Sequence, residues 1–155
     1  MMELVCPAGT PAALRAAVEA GAHSVYCGFA DETNARNFPG LNFSPDELAE
    51  AVGFAHARGA KVLVAINTFP RAGAEPLWHR ALANAEAARA DAVILADIGL
   101  LAHAAEHHPD LRRGGLQRMG CSLRLIGVIR QPGTDRFDVA RQSIQKHRNH
   151  AAYDS

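Results

Sequence analysis

Five polar positions stand directly after, or in the loops that follow, the apolar runs of this 155-residue chain, at the places where an α/β protein gathers its chemistry. They are Asn67 and Thr68 after KVLVAI, Asp97 after AVILA, and Asn34 and Arg36 in the segment TNARNFPGLNF (33–43), which follows SVYCGF. Parallel α/β folds form sites at the carboxyl ends of their strands, so these residues, with Asn37, are expected on one rim as a substrate-binding set. The guanidinium fork of Arg36 suits a carboxylate. Asn34 and Asn67 would hydrogen-bond the ligand. Asp97 is either a pocket acid or the cap of the helix that starts at about Gly99. Phe38 and Phe43 either wall a pocket or, with Leu41, plug the mouth of a barrel as core. No residue is singled out as catalytic.

Other candidates are weaker. Cys6 and Cys27 fall on neighbouring predicted strands, but no further residues have metal-ligand spacing. Free cysteine is commonly buried, which makes both structural. Cys121 stands apart. His103 and His107 are four apart on a helix with His108 beside them, a spacing able to bind metal, yet there is no H-E-x-x-H. Histidines near a helix C-terminus also gain from its dipole. Gly9 and Thr10 open a helix and offer a weak anion site. There is no G-x-x-x-x-G-K, G-x-G-x-x-G or G-x-S-x-G motif.

Repeated strand–helix units must position these residues. Glu3 to Cys6 reads as a strand. Thr10-Pro11 then supplies an N-cap with proline at the first helical position, and the helix from Ala12 to Ala20 stops at Gly21. Ser24 to Phe29 is a second strand. Ser44-Pro45-Asp46-Glu47 is a capping box for a helix ending at Gly59. Lys61 to Ile66 is a third strand, nearly all apolar as when both faces are covered. A helix over about Pro76–Arg89, a strand over Ala92–Ala96 and a helix from Gly99 to about His107 complete the series. "GAHSV", "GAKVL" and "RADAV" lead into the later strands as a degenerate repeat. The order βαβαβαβα argues for a parallel sheet with right-handed crossovers. Four units make half of a (β/α)₈ barrel, and a flavodoxin-like sheet is the competing topology. Beyond residue 111, Ser122 to Ile129 reads as a fifth strand, Gln131-Pro132-Gly133 as a turn, Phe137 to His147 as a helix, and the end as a frayed tail.

Composition is globular and reduced in character. Net charge is zero, which gives no general reason to expect nucleic acid or a membrane surface. The start carries no signal-peptide pattern, and no apolar run reaches the roughly 20 residues needed to span a bilayer. A cytoplasmic protein is expected. The balance hides an asymmetry: residues 1–110 hold 7 Lys and Arg against 13 Asp and Glu, whereas residues 111–155 hold 9 against 3. Alanine falls from 28 to 3 across the same join. Two units are therefore expected, a half-barrel over 1–111 and a divergent basic tail over 112–155, as from a truncated or frameshifted reading frame.

The stretches "ELVCPAGTPAALRAAVEAGAHSVYCGF", "TNARNFPGLNF", "VAINTFPRAG" and "DAVILADIGLL" together resemble the N-terminal part of the collagenase-like U-32 peptidase family, over residues 2 to about 111. The asparagine-rich loop and "INTF" are most similar to its ubiquinone-biosynthesis subgroup. The resemblance implies a barrel-like α/β fold, a related U-32-type subunit as partner, and support of an oxygen-independent hydroxylation in ubiquinone synthesis with prephenate as hydroxyl donor. It also implies a four-iron four-sulfur cluster held by four cysteines in full-length relatives. Other members are described as peptidases. The family's next strand, similar to "VQAS", and its cysteine-rich stretch are replaced here by "RRGGLQRMGCSLRLIGVIRQPG". Three cysteines cannot supply four ligands, so no cofactor is expected in this chain. The alternatives are a peptidase fragment and a non-catalytic interaction module that pairs through its open sheet edge.

Overall fold

The computed structural model describes residues 3–119 and 122–128, with side chains through Arg113. The turn expected at 131–133, the helix expected at 137–147, the tail and Cys121 lie outside the described residues.

Strand and helix alternate as the repeat requires: β1 (Val5–Pro7), α1 (Pro11–Glu19), β2 (Ser24–Gly28), α2 (Pro45–His56), β3 (Lys61–Ile66), α3 (Glu75–Ala87), β4 (Ala92–Leu95) and α4 (Ile98–His107). Two further strands follow, β5 (Arg113–Met119) and β6 (Ser122–Val128). The expected fifth strand is therefore β6. A strand over 113–119 lacked a readable signal, because Gly114, Gly115 and two arginines dilute its apolar content.

The sheet runs β1-β2-β3-β4-β5-β6, each strand beside its neighbours in sequence. The pairs from β1 to β5 are parallel, and β6 returns antiparallel on β5. This order decides between the two topologies. A flavodoxin-like sheet reverses direction after its first strands, giving 2-1-3-4-5. A barrel adds each strand on the same side. Consecutive helices pack on one another, α1 on α2, α2 on α3 and α3 on α4, so they form one outer layer. The chain is an α/β protein with the build of a half-barrel.

Local chemistry sets the helix ends. The Thr10 hydroxyl accepts the Ala13 N–H at 3.1 Å, with Pro11 following. Ser44 and Glu47 close a full capping box, Glu47 N–H to Ser44 Oγ at 3.3 Å and Ser44 N–H to Glu47 Oε2 at 2.9 Å. The C-terminal ends repeat as well. Gly21, Gly59 and Arg89 take positive φ of 91°, 76° and 60°. The alanine after each, Ala22, Ala60 and Ala90, donates its N–H to the carbonyl of Ala17, Ala55 or Ala85, all at 3.0 Å. This is the Schellman closure. The "GAH", "GAK" and "RAD" triplets are thus one device used three times.

Alternation along the strands divides the sheet. Val25, Cys27, Val62, Val64, Ile66, Val93 and Leu95 face the helices and are buried against Leu14, Leu48, Val52, Trp78, Leu82 and Leu100. The opposite face carries the row Pro7, Tyr26, Leu63 and Ala92, partners across four strands. Among the described residues no helix is long and apolar enough to cross a membrane.

Candidate functional site

The loops leaving β2, β3 and β4 meet at the carboxyl rim. Loop 29–44 is the longest, and it is pinned at three places. Phe43 returns beside Phe29 in a parallel bridge, with Phe43 N–H to Gly28 O at 3.1 Å and Ala30 N–H to Phe43 O at 3.0 Å. Asn42 N–H reaches Gly9 O after β1 at 2.6 Å, and its side-chain amide donates to Arg36 O at 2.8 Å. The third attachment is to β3: Asn67 Oδ1 accepts the Ala35 N–H at 2.8 Å, and the Asn67 N–H donates to Thr33 O at 3.0 Å.

The expected binding residues divide into three groups on this frame. Asn34, Asn67 and Thr68 come together, but their polar atoms serve the loop. Asn34 is 6% exposed; its Nδ2 donates to Phe29 O at 3.3 Å and its Oδ1 accepts the Arg36 N–H at 3.0 Å. The Thr68 hydroxyl donates to Glu32 O at 2.6 Å and accepts the Trp78 indole N–H at 3.2 Å. Arg36 and Asn37 form the second group, with exposed side chains on the outer stretch of the loop. Arg71, on the adjoining loop, pairs with Glu32 at 2.9 Å, both well exposed.

The two readings of the aromatics also separate. Phe43 is fully buried core, whereas Phe38 is 58% and Leu41 42% exposed. Phe69 and Ile98, on the loop after β3 and at the start of α4, are 67% and 60% exposed. Apolar side chains therefore stand in solvent on three successive rim connections.

Asp97 is the third group, a helix cap that also borders a cleft. It caps α4, its Oδ1 accepting the Leu100 N–H at 2.7 Å. It also lines an open cleft of about 230 Å³ with Pro70, Glu75, His79, Gly99 and Leu100. Glu75 is held below the usual carboxylate range by its own and the Gly73 backbone N–H groups, with His79 adding a smaller pull. The cleft thus sets two carboxylates beside an imidazole. Glu75 and His79 were absent from the expected set. Their i, i+4 spacing at the start of α3, just past the carboxyl end of β3, was the available signal.

Cys27 gives no thiolate. Cys27 is buried on the helix-facing side, and burial pushes its thiol up to about 12. Cys6 lies on the neighbouring strand opposite Val25, two residues out of register with Cys27. No group of three or more His, Cys, Asp or Glu among the described residues converges to hold a metal ion. The usual iron–sulfur cluster needs four cysteine ligands, and the two described cysteines do not fit one.

Comparison with known proteins agrees with this frame. The chain is 34% identical over 101 residues to an uncharacterized protease of Methanocaldococcus jannaschii, covering 65% of this chain and 24% of that protein. It is 35% identical over 103 residues to the 23S rRNA 5-hydroxycytidine synthase of Escherichia coli, covering 64% and 15%. It is 32% identical over 110 residues to tRNA hydroxylation protein P of Helicobacter pylori, covering 71% and 26%. The chain thus spans about a quarter or less of the length of these relatives. In three dimensions it resembles a type I 3-dehydroquinate dehydratase of Clostridium difficile, with TM-score 0.53 and 11% identity over 74% of this chain and 51% of that one. That likeness shows a fold of the TIM-barrel kind. The sequence pattern of peptidase family U32 matches residues 9–142. With the match running from α1 through α4 and on into the strands beyond, the chain belongs to peptidase family U32.

Proposed function

We propose that residues 1–111 form the substrate-holding units of a hydroxylation factor, with residues 112–155 as a distinct basic segment. The observation that carries this reading is the match to tRNA hydroxylation protein P over 110 residues, seconded by the rRNA 5-hydroxycytidine synthase. These relatives favour a base of RNA as the ring to be hydroxylated, although composition alone gave no reason to expect nucleic acid. The asparagine-rich loop points instead to a ubiquinone precursor. Both substrates are planar rings, and the rim suits one. Phe38 and Phe69 offer exposed faces on two loops that Asn67 joins. Arg36 and Arg71 stand two residues from them as charge-assisted donors. Asn34 and Asn67 act by fixing the loop, and Arg36 is the residue free to meet the substrate. A related U32-type subunit is the proposed partner. Any cluster would supply redox chemistry from ligands outside the described residues.

The test is a chimera. Residues 1–111 replace the corresponding part of tRNA hydroxylation protein P in an Escherichia coli strain lacking that protein. Mass spectrometry of digested RNA and of extracted quinones then reads the product. Hydroxylated nucleosides that fall on Arg36→Ala support the RNA reading. Hydroxylated quinone intermediates support the ubiquinone reading. A folded chimera yielding neither overturns both.

A peptidase reading has one observation of its own, the cleft of Glu75, His79 and Asp97 in a chain related to a named protease. Cleavage of labelled gelatin, lost on Asp97→Asn, would favour it.

A further inference from the structure

Four imidazoles collect where α3 packs on α4, and none belongs to the proposed ring-holding rim. His79 of α3 stacks on His103 of α4 with ring centres 3.7 Å apart and planes 6° from parallel. His107 continues the column, 4.1 Å from His103 at 16°. His108 stands tilted at 6.1 Å from His103. The column is continuous with the rim, because His79 also lines the cleft with Glu75 and Asp97.

We infer that this column is an acid-sensitive latch: the neutral rings hold α3 against α4, and protonation parts the helices and loosens the cleft that both of them wall. Stacked rings tolerate a second charge poorly, since like charges at van der Waals contact repel strongly. Few counter-charges are in place to relieve this. From α3, Glu75 is turned to the cleft, and Glu86 is engaged by His108 Nδ1 at 2.7 Å. On α4, Glu106 is the acid that favours charge on His103. From β5, the Arg113 guanidinium donates to the carbonyls of Ala104 and His108 at 2.7 and 2.9 Å, which adds positive charge at the same seam. His107 Nδ1 lies 3.1 Å from the His103 carbonyl, an acceptor only, so Nδ1 carries the hydrogen of that contact.

The sign follows from His103. Burial first, then His79, His107 and His108, hold its pKa below the ordinary histidine value, with Glu106 opposing. A base whose folded pKa is depressed stabilises the fold fully above its unfolded pKa, about 6.5. That contribution drains away as pH falls through 6.5 toward the folded value. The latch is closed at pH 7.5 and weakened at 5.5. None of this requires that the hydroxylation reading be correct.

Hydrogen–deuterium exchange on the full chain at pH 7.5 and 5.5, corrected for intrinsic rates, tests it. Residues 98–107 report the latch, and residues 11–19, which contain no histidine, serve as reference. Protection of 98–107 is expected to drop severalfold, the direction set by the lowered pKa of His103, with 11–19 unchanged. In His103→Gln most of that drop should disappear. Equal protection at both pH values, or an undiminished drop in His103→Gln, overturns the inference. An imidazole NMR titration of the unaltered chain decides independently of how the variant folds: His103 must titrate below the ordinary value, and a midpoint at or above it overturns the inference too.

Discussion

The side-chain amide of Asn34 occupies the space that a side chain on Gly28 would need. A Cβ at position 28 would stand 2.4 Å from Asn34 Nδ2 and 2.6 Å from its Cγ. Gly28 ends β2, and Asn34 is buried in the loop that follows. The contact explains why a strand rich in large side chains finishes on glycine. Gly28→Ala should therefore cost about 1–3 kcal/mol, the usual range for overpacking. Urea unfolding would show it, and protease nicking within 33–43 should accelerate in parallel. An unchanged urea midpoint would mean that Asn34 can move aside freely.

Arg89 holds the position that glycine holds in the two earlier repeats, at φ 60°. A left-handed conformation costs a non-glycine residue roughly 1–2 kcal/mol, partly offset by the extra freedom glycine has when unfolded. Arg89→Gly is expected to stabilise the protein by about 0.5–1 kcal/mol on that balance. A higher urea midpoint with an unchanged slope is the supporting result.

Asn67 acts across the rim by accepting the Ala35 N–H at 2.8 Å. Asn67→Ala removes that acceptor at an exposed site, so the cost should be modest, about 1 kcal/mol. The larger effect should fall on loop order. The Ala35 amide is expected to exchange with solvent much faster while the β3 amides hold. Equal exchange at Ala35 in both proteins would show that other contacts fix the loop.

Two substitutions at Asp97 separate its cap from its charge. Asparagine caps helices about as well as aspartate, so Asp97→Asn should leave stability nearly unchanged. Asp97→Ala should cost about 1 kcal/mol. Any activity that depends on a negative cleft would be lost in both variants. Thermal unfolding beside an activity assay makes the distinction, and equal stability losses would contradict the capping role.

Cys27 should be inert. With its thiol pushed up to about 12, it is almost wholly protonated at pH 8, and the side chain is 3% exposed. A thiol-specific reagent should leave it unmodified in the native protein and label it in 6 M guanidinium, read by mass spectrometry of the peptide. Fast labelling of Cys27 in the folded chain would refute both its burial and its protonation state.

The sequence by itself determined the features that depend on neighbours in the chain. Thr10-Pro11 and Ser44 to Glu47 announce their helices because a cap bonds only two or three residues away. Val62 to Ile66 and Ala92 to Leu95 announce buried strands because they are apolar at every step. The motif stretches marked the family, since their residues stand in order along one segment. What only the tertiary structure decided rests on partners far apart in number. The sequential strand order chose the barrel build over the flavodoxin-like one, and periodicity is blind to which strands pair. Phe38 and Phe43 look alike in sequence, yet one stands in solvent and the other in the core, because Phe43 alone returns to bridge Phe29. Asn34, Asn67 and Thr68 read as ligand donors, and the fold turned them to the loop, because buried or crowded backbone groups claim the nearest side-chain partner. His79 and His103 are 24 positions apart and meet only because α3 packs on α4.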